Sequence, residues 1–394
     1  MHQNSASALL ASVCLLVGSN WALAQQRPQA PSVVSPEVTP DHQVVFRIYA
    51  PNAQQVRVGG TDMPGLVKGG QMAKNDQGIW ELTFGPVDPG AYRYNFVIDG
   101  AAVLDDNNPS VSESNDNSWS LVYIPGAAFM DTEDVPHGAV ASVTYYSKTL
   151  QKFRRLHVYL PPGYETGSQK YPVFYLLHGA GDSDDSWTSV GRAGFILDNL
   201  IAAHKAKPMV VVMSAGHTER RPFGAGAPAG RALNFEDAFV KEFESDIMPM
   251  VEARYRVIND RAHRAIAGLS MGGAHTLYIG IANLDKFAYL GVFSSGLLGT
   301  FPIRRADGSG DAAEPDHTWE NENRAHLENT ALKKGLKLFW FSTGSEDFLI
   351  QNTESTVELF KKYGFNPVFQ ESPGGHTWIN WRNYLNELAQ QLFQ

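Results

Sequence analysis

Apolar and polar positions alternate over short segments between residues 41 and 124. Trp80, Leu82 and Phe84 fall on one face of a strand, and polar residues lie between them. Turn-forming pairs such as Asp99-Gly100 separate the segments. Several short strands with turns between them predict a small antiparallel β-sandwich. The predicted strands cover residues 44–49, 56–58, 80–84, 92–98 and 119–124.

The pattern changes near residue 138, after a linker over residues 125–137. Beyond it, near-continuous apolar runs alternate with segments of helical periodicity. Such runs are typical of parallel strands that are covered on both faces. The order predicts a doubly wound α/β sheet over residues 138–394, preceded by a front domain over residues 41–124. Predicted strands cover 155–160, 173–177, 209–214, 264–269, 290–294 and 338–342, and predicted helices cover 234–255, 272–283, 354–363 and 378–392.

The first 24 residues have the pattern of an export signal. Ala8 to Gly18 is a short apolar run, and Ala22-Leu23-Ala24 supplies small residues for cleavage before Gln25. Because the start lacks the usual Lys or Arg, a short buried N-terminal helix is the alternative. Cys14 is the single cysteine and lies within this segment, so we expect a mature protein without thiols, secreted or periplasmic. A Pro-rich leader over residues 25–40 would precede the front domain.

Composition and charge narrow the classes of partner. Of the 394 residues, 43% are apolar and 19% are charged, and the formal net charge is −9. Nucleic acid and anionic membrane surfaces both require a basic face, which this charge distribution does not supply. Beyond the first 24 residues, no stretch approaches the ~20 apolar residues that span a membrane. We therefore expect no nucleic-acid partner and no membrane anchor.

The segment Gly268-Leu269-Ser270-Met271-Gly272 joins an apolar strand to a helix-like segment. This G-x-S-x-G pattern places its serine on a tight, strained turn, where the two glycines let neighbouring backbone pass closely. The hydroxyl is then exposed at a helix N-terminus, which favours developing negative charge. The motif alone is common, but the strand before it and the helix after it supply the context that it requires. Ser270 is therefore the candidate nucleophile.

Four histidines follow the serine along the chain, where the base is expected. His376 lies in a loop just before the last predicted helix, from which it can reach across to the serine. His275 falls about one helical turn after the serine, and His317 and His326 precede the last strong strand. His376 is therefore the candidate general base.

The acid is expected at the end of a strand between the serine and the histidine. Strand 338–342 is followed by Gly344-Ser345-Glu346-Asp347. Asp347 is the candidate, and its neighbour Glu346 is the alternative. The carboxylate would accept the second N–H of the histidine, fix its tautomer and stabilise the imidazolium.

Hydrolysis through an acyl-enzyme also needs backbone N–H groups for the oxyanion. One is expected from Met271, the residue after the nucleophile, and the other from a loop after an earlier strand. His178-Gly179-Ala180-Gly181 follows such a strand, so Ala180 is the second candidate donor and Gly181 the alternative. His178 precedes the serine and ends a strand, which favours a structural role.

We predict no cofactor and no catalytic metal. The sequence contains no His-x-x-x-His pair, and its Gly-rich segment at 224–230 does not join a strand to a helix as a phosphate loop does. The acidic segment Asp182-Ser183-Asp184-Asp185 lacks the Gly and Glu of an EF-hand loop. A solvated acidic turn is therefore expected there.

Taken in order, segments over residues 138–394 resemble carbohydrate esterase family 1, the esterase D-like α/β hydrolases that include feruloyl and acetylxylan esterases. The family's catalytic serine, aspartate and histidine correspond to Ser270, Asp347 and His376, and its oxyanion donors to Ala180 and Met271. The segments that carry the resemblance are Tyr159-Leu160-Pro161-Pro162-Gly163-Tyr164, Tyr171-Pro172-Val173, Leu176-Leu177-His178-Gly179, Ser186-Trp187, Gly268-Leu269-Ser270-Met271-Gly272-Gly273, Gly344-Ser345-Glu346-Asp347 and Gly374-Gly375-His376-Thr377-Trp378.

The front domain resembles the early-set sandwich domains akin to carbohydrate-binding family 48. Phe46 to Ala53 and Pro89 to Tyr94 carry this resemblance. Trp80 falls on the apolar face of its strand and is expected in the core rather than on a sugar-binding surface.

The front domain holds no Ser, Asp and His in the required order, so we expect a chain that begins near Gly138 to keep most of its turnover on a small ester. Covering an apolar face of the hydrolase is the alternative role for this domain.

The resemblance implies a secreted serine esterase that frees ferulic or related hydroxycinnamic acids from arabinoxylan. The partner would be a feruloylated or acetylated plant polysaccharide or oligosaccharide. An acetylxylan esterase, or a hydrolase of siderophore-type or other small esters, would use the same three residues. The complete Ser–Asp–His set counts against a non-catalytic glycan-binding protein.

The walls of the substrate pocket are the least defined part of the sequence. Trp187, Phe223 and Trp378 are candidate substrate-binding residues, together with the insertion from Leu297 to Trp319. Each of them could equally belong to the core.

Overall fold

The computed structural model describes residues 31–60, 62–219, 238–301 and 315–394. The predicted signal segment, Phe223 and most of the 297–319 insertion lie outside these residues. Within the described chain, no helix has the length and apolar character needed to cross a membrane.

Two antiparallel sheets form the front domain. Their strand orders are β1-β2-β5-β4 and β3-β6-β9-β8, with β7 paired to β6. Phe46, Tyr94 and Phe96 pack between them, and Trp80 lies in the same core, as predicted. The elements are β1 (Glu37–Val38), β2 (Val44–Tyr49), β3 (Val56–Gly59), α1 (Leu66–Gly69), β4 (Ala73–Lys74), β5 (Ile79–Phe84), β6 (Gly90–Ile98), β7 (Ala101–Val103), β8 (Val111–Glu113) and β9 (Ser118–Ile124).

The second part of the chain forms an eight-stranded sheet in the order β10-β11-β13-β12-β14-β15-β16-β17. Its strands are β10 (Ala139–Ser147), β11 (Lys152–Leu160), β12 (Val173–Leu177), β13 (Val210–Ser214), β14 (Arg264–Leu269), β15 (Tyr289–Phe293), β16 (Leu338–Gly344) and β17 (Val368–Ser372). The helices are α2 (Ala193–Ala202), α3 (Ala238–Glu242), α4 (Met248–Arg254), α5 (Met271–Ala282), α6 (Thr318–Glu322), α7 (Arg324–Glu328), α8 (Thr330–Lys334), α9 (Ile350–Lys362) and α10 (Trp378–Ala389).

The sheet is parallel from β13 to β17, and β10 and β11 are antiparallel. Two separate clusters of buried apolar side chains pack against it. The doubly wound α/β prediction is therefore confirmed. Because the carboxyl ends of parallel strands meet at one edge, residues that follow β12, β14 and β16 are brought together there.

Three differences from the predicted elements have physical reasons. Strands β10 and β17 lie at the two edges of the sheet. Exposed positions recur along β10, and β17 has no buried position, so neither strand carries a continuous apolar run. The long helix predicted over 234–255 is divided within its described part. A π-helical turn over Phe243–Ile247 separates α3 from α4, which has a proline in its first turn.

Candidate active site

Ser270 lies between the end of β14 and the start of α5, in a strained backbone conformation with φ of 52° and ψ of −118°. The flanking glycines permit this turn. A Cβ atom on Gly268 would lie 2.4 Å from the backbone of Gly272, and one on Gly272 would lie 2.6 Å from the carbonyl oxygen of His178. Any larger residue at either position would force the strand, the turn and the neighbouring loop apart.

His376 bridges the serine and the acid. Its Nε2 lies 3.0 Å from the Oγ of Ser270, and its Nδ1 lies 2.9 Å from Oδ2 and 3.0 Å from Oδ1 of Asp347. Since an ionised carboxylate only accepts, the Nδ1–H donates to Asp347 and Nε2 is left to accept the serine hydroxyl proton. The structure thus brings together the three side chains singled out in the sequence.

Asp347 is held in place by the turn that follows β16. Its backbone N–H donates to the carbonyl of Gly344, and its Oδ1 accepts from the N–H of Leu349. The side chain is buried, whereas Glu346 is exposed to solvent. Geometry therefore favours Asp347 over the neighbouring alternative.

The two candidate oxyanion donors flank the serine. Met271 is the first residue of α5, so its N–H belongs to the helix N-terminus. Ala180 is a central residue of the turn in which the N–H of Asp182 donates to the carbonyl of Gly179. A Cβ atom on Gly179 would lie 3.4 Å from the Cβ of Ser270, so this turn passes directly over the serine.

A buried imidazole, that of His178, supports that turn, and the half-buried ring of His217 lies beside it. His178 accepts a hydrogen bond from the N–H of Gly216 at Nε2 and contacts the carbonyl of Gly179 through Nδ1, each at 2.8 Å. Burial lowers the pKa of His178, so the ring is neutral with its proton on Nδ1. The ring of His217 lies 5.4 Å away, and burial lowers its pKa to about 4. His178 therefore has the structural role expected for it, whereas no sequence pattern pointed to His217.

Trp187 and Trp378 do not line a pocket that is open to substrate. They are 1% and 2% exposed, and their rings pack edge to face at 5.0 Å. The indole of Trp187 donates to the carbonyl of Leu177. Their prediction as substrate-binding residues is corrected, because packing fills both faces of each ring. Phe223 cannot be placed, since it lies outside the described residues.

Two aromatic rings against His376 were missed. The half-exposed Phe348 packs against the imidazole with its ring tilted, and the buried Trp381 meets the imidazole edge to face at 5.0 Å. The indole N–H of Trp381 donates to Ser294, which fixes the ring. Trp381 lies in the first turns of the last helix, five residues after His376. This spacing was a signal in the sequence that could have predicted its contact with the base.

The acidic segment 182–185 is buried and paired rather than solvated. Asp182 pairs with Arg93 of the front domain, and Asp184 pairs with Arg155 and His157. Across residues 31–60, 62–219, 238–301 and 315–394, no group of three His, Cys, Asp or Glu side chains could hold a metal ion.

A parallel sheet that carries a strained serine at its carboxyl edge, with histidine and carboxylate in line, defines the α/β-hydrolase fold. The chain belongs to the family described as putative esterase, whose model matches residues 147–392. A model for carbohydrate-binding module 48, the isoamylase N-terminal domain, matches residues 34–123. Both resemblances inferred from the sequence are confirmed.

Similar proteins extend this picture. An endo-1,4-beta-xylanase/feruloyl esterase of Xylanibacter ruminicola is 31% identical over 376 residues, which cover 91% of this chain and 46% of that protein. This chain thus spans about half the length of that relative. The structure of a ferulic acid esterase of Anaeromyces mucronatus has a TM-score of 0.56 and 26% identity, and the match covers 68% of this chain and 96% of that one. The enterobactin esterase of Shigella flexneri shares the fold, with a TM-score of 0.59, 17% identity and coverage of 89% and 94%.

Proposed function

We propose that this chain is an exported serine carboxylic-ester hydrolase that releases hydroxycinnamic acids from feruloylated arabinoxylan. The observation that carries the proposal is the continuous line of contacts from Asp347 through His376 to Ser270. The feruloyl substrate is supported by the names of the similar proteins from Xylanibacter ruminicola and Anaeromyces mucronatus.

In the first half of the reaction, the Oγ of Ser270 attacks the ester carbonyl while its proton passes to Nε2 of His376. Asp347 accepts the hydrogen bond from Nδ1 and stabilises the imidazolium that forms. The N–H groups of Met271 and Ala180 stabilise the oxyanion of the tetrahedral intermediate. The intermediate collapses as the C–O bond to the sugar breaks and Nε2 of His376 donates the proton to the departing sugar oxygen, which leaves as a hydroxyl while the acyl group stays on Ser270.

In the second half, His376 takes a proton from water, and the hydroxide attacks the acyl-enzyme. Collapse of the second tetrahedral intermediate releases the hydroxycinnamic acid and returns the proton to Ser270.

The proposal is tested with the purified protein on methyl ferulate, methyl acetate, feruloylated arabinoxylan and acetylated xylan. We expect ferulic acid to be released from arabinoxylan. We also expect kcat/KM to be at least about 10-fold higher for methyl ferulate than for methyl acetate, which has the same leaving group, because one well-packed aromatic contact is worth about 1.4 kcal/mol. A preference for the acetyl substrates would instead indicate an acetylxylan esterase. A folded protein that hydrolyses none of the four would contradict the proposal.

Export is tested by N-terminal sequencing of the protein from culture medium, where a start at Gln25 is expected.

A further inference from the structure

Arg93, on strand β6 of the front domain, reaches into the hydrolase behind the candidate oxyanion hole. Its Nη1 donates to Oδ1 of Asp182 and its Nη2 to Oγ of Ser186, both at 2.7 Å. All three side chains are buried. Asp182 and Ser186 belong to the segment 178–186, here called the oxyanion loop, which also contains Ala180.

Strand β8 of the front domain and the residues after it contact the same loop through the backbone. Ser114 and Asp182 pair in an antiparallel bridge, and the N–H of Asn115 donates to the carbonyl of Gly181 at 3.3 Å. The sheet of the front domain therefore continues into the loop at the residue next to Ala180. The N–H of Glu113 also donates to Oδ2 of Asp185 at 2.9 Å.

Strand β6 also contacts helix α10, which begins two residues after His376. The guanidinium carbon of Arg93 lies 5.7 Å from the centroid of the Trp378 ring, two residues beyond His376. One turn further along α10, Nη1 of Arg382 donates to the carbonyl of Ala91 at 3.0 Å. A single front-domain strand thus contacts both the oxyanion loop and the helix that follows the base.

We propose that Arg93 is a positioning residue, through which the front domain holds the oxyanion loop so that the N–H of Ala180 faces the oxyanion. The proposal rests on the function proposed above. Asp182 is a buried carboxylate, and without its cationic partner it must become hydrated, which draws the loop out of place. A displaced donor stabilises the transition state less, while the ground state of the substrate is bound much as before. The front domain then contributes to turnover on small esters, in contrast to the expectation drawn from the sequence.

The test compares full-length Arg93→Met and Arg93→Lys with the control Arg47→Met. Arg47 lies in the same domain and pairs with Glu37 and Glu81 away from the hydrolase. Loss of one oxyanion donor lowers kcat by about 10² to 10³, so a displaced donor should cost Arg93→Met about 10- to 100-fold on both methyl ferulate and para-nitrophenyl acetate. We expect KM to stay within about 3-fold, since ground-state binding is retained. Arg93→Lys should recover part of the loss, and Arg47→Met should keep wild-type kcat.

Phenylboronic acid forms a tetrahedral adduct with the serine and gives a readout that a merely structural role would not move. Its affinity should fall in Arg93→Met by the same factor as kcat, while the affinity for ferulate is unchanged. Should Arg93→Met fail to fold, Ser186→Ala removes one hydrogen bond of Arg93, together with the bonds of the Ser186 hydroxyl to Ser183 and Glu113, and should show the same split to a smaller degree. A folded Arg93→Met with wild-type kcat and boronate affinity, or one whose kcat falls only with the folded fraction, would overturn the proposal. If the wild type prefers the acetyl ester, the proposed feruloyl substrate is wrong. The role of Arg93 can still be measured with the acetyl ester, so the two proposals fail independently.

Discussion

The ring of Phe348 packs against the imidazole of His376, with the centroids 4.5 Å apart and the planes inclined by 49°. Phe348 is 50% exposed, so much of its side chain is open to solvent beside the base. Under the proposed function, we expect this exposed ring to contact the aromatic acyl group or the sugar that leaves.

We expect Phe348→Ala to raise KM for methyl ferulate by up to about 10-fold, since an aromatic pair contributes about 0.5–1.5 kcal/mol beyond its buried area. The KM for methyl acetate should change by less than about 2-fold by the same scale, because this ester has no ring to stack. Steady-state kinetics on the two esters measure the difference. Tyr49→Ala removes an exposed aromatic ring from the front domain and serves as the control. An equal loss on both esters would assign Phe348 to holding His376 rather than to substrate contact.

Ser270→Ala should keep the fold and lose about 10⁴ to 10⁶ in kcat, because the partners of a removed nucleophile cannot replace it. Ser270→Gly should be equally inactive but more stable than Ser270→Ala by about 1 kcal/mol. Glycine adopts the positive φ at this turn without the strain that a Cβ atom causes. Urea unfolding of the two variants measures the strain. Retention of more than about a tenth of wild-type turnover in either variant would contradict the assignment of the nucleophile.

Asp347→Asn should lower kcat by about 10⁴, because an amide no longer selects the tautomer that leaves Nε2 free to accept. Glu346→Gln is the matched control. Its side chain is exposed, so turnover should be unchanged. The kcat of both variants is measured on methyl ferulate. If Glu346→Gln lowers kcat strongly and Asp347→Asn does not, the acid is Glu346.

Asp184 should make the free energy of unfolding of the hydrolase depend on pH in the acid range. Burial acts to raise the pKa of its carboxyl, but hydrogen bonds from His157 and Arg155 outweigh burial and hold that pKa well below its usual range. In the unfolded chain, the pKa of an aspartate carboxyl is about 3.9. The stabilisation of the folded state is therefore complete above that pH and is lost as the pH falls towards the lower pKa of Asp184 in the folded state.

Asp184→Asn should therefore be less stable than wild type at pH 7 and should lose less of its free energy of unfolding between about pH 5 and pH 3. Urea unfolding at these pH values measures the slope. The exposed Asp76→Asn is the control and should follow the wild-type curve. Parallel curves for wild type and Asp184→Asn would show that the pair does not contribute to stability.

The sequence predicted the parts of the fold and site that depend on local pattern. Strands β12 and β14 are buried on both faces, so they appear as apolar runs with their observed bounds. The order of serine, acid and histidine followed from the motif around Ser270. The edge strand β10 was missed because half of its positions face solvent.

Contacts between the two parts of the chain were beyond prediction for a different reason. Arg93 and Asp182 are 89 positions apart, and nothing in the residues around either one specifies the other. The acidic segment 182–185 resembles a solvated turn until the front domain is placed against it. The tryptophans suggested as pocket walls were misjudged for the same reason, since only tertiary packing decides which aromatic rings are covered.

The contacts of strand β8 with the oxyanion loop bear on how such domains are exchanged during evolution and in protein engineering. The hydroxyls of Ser112 and Ser189 lie 2.7 Å apart across the boundary, next to the bond from Glu113 to Asp185. A front domain from another esterase would bring its own side chains to these positions, so it would fit only a hydrolase whose loop had been inherited with it. Chimaeras of this protein should therefore be cut so that residues 93 and 111–115 travel together with residues 182–189.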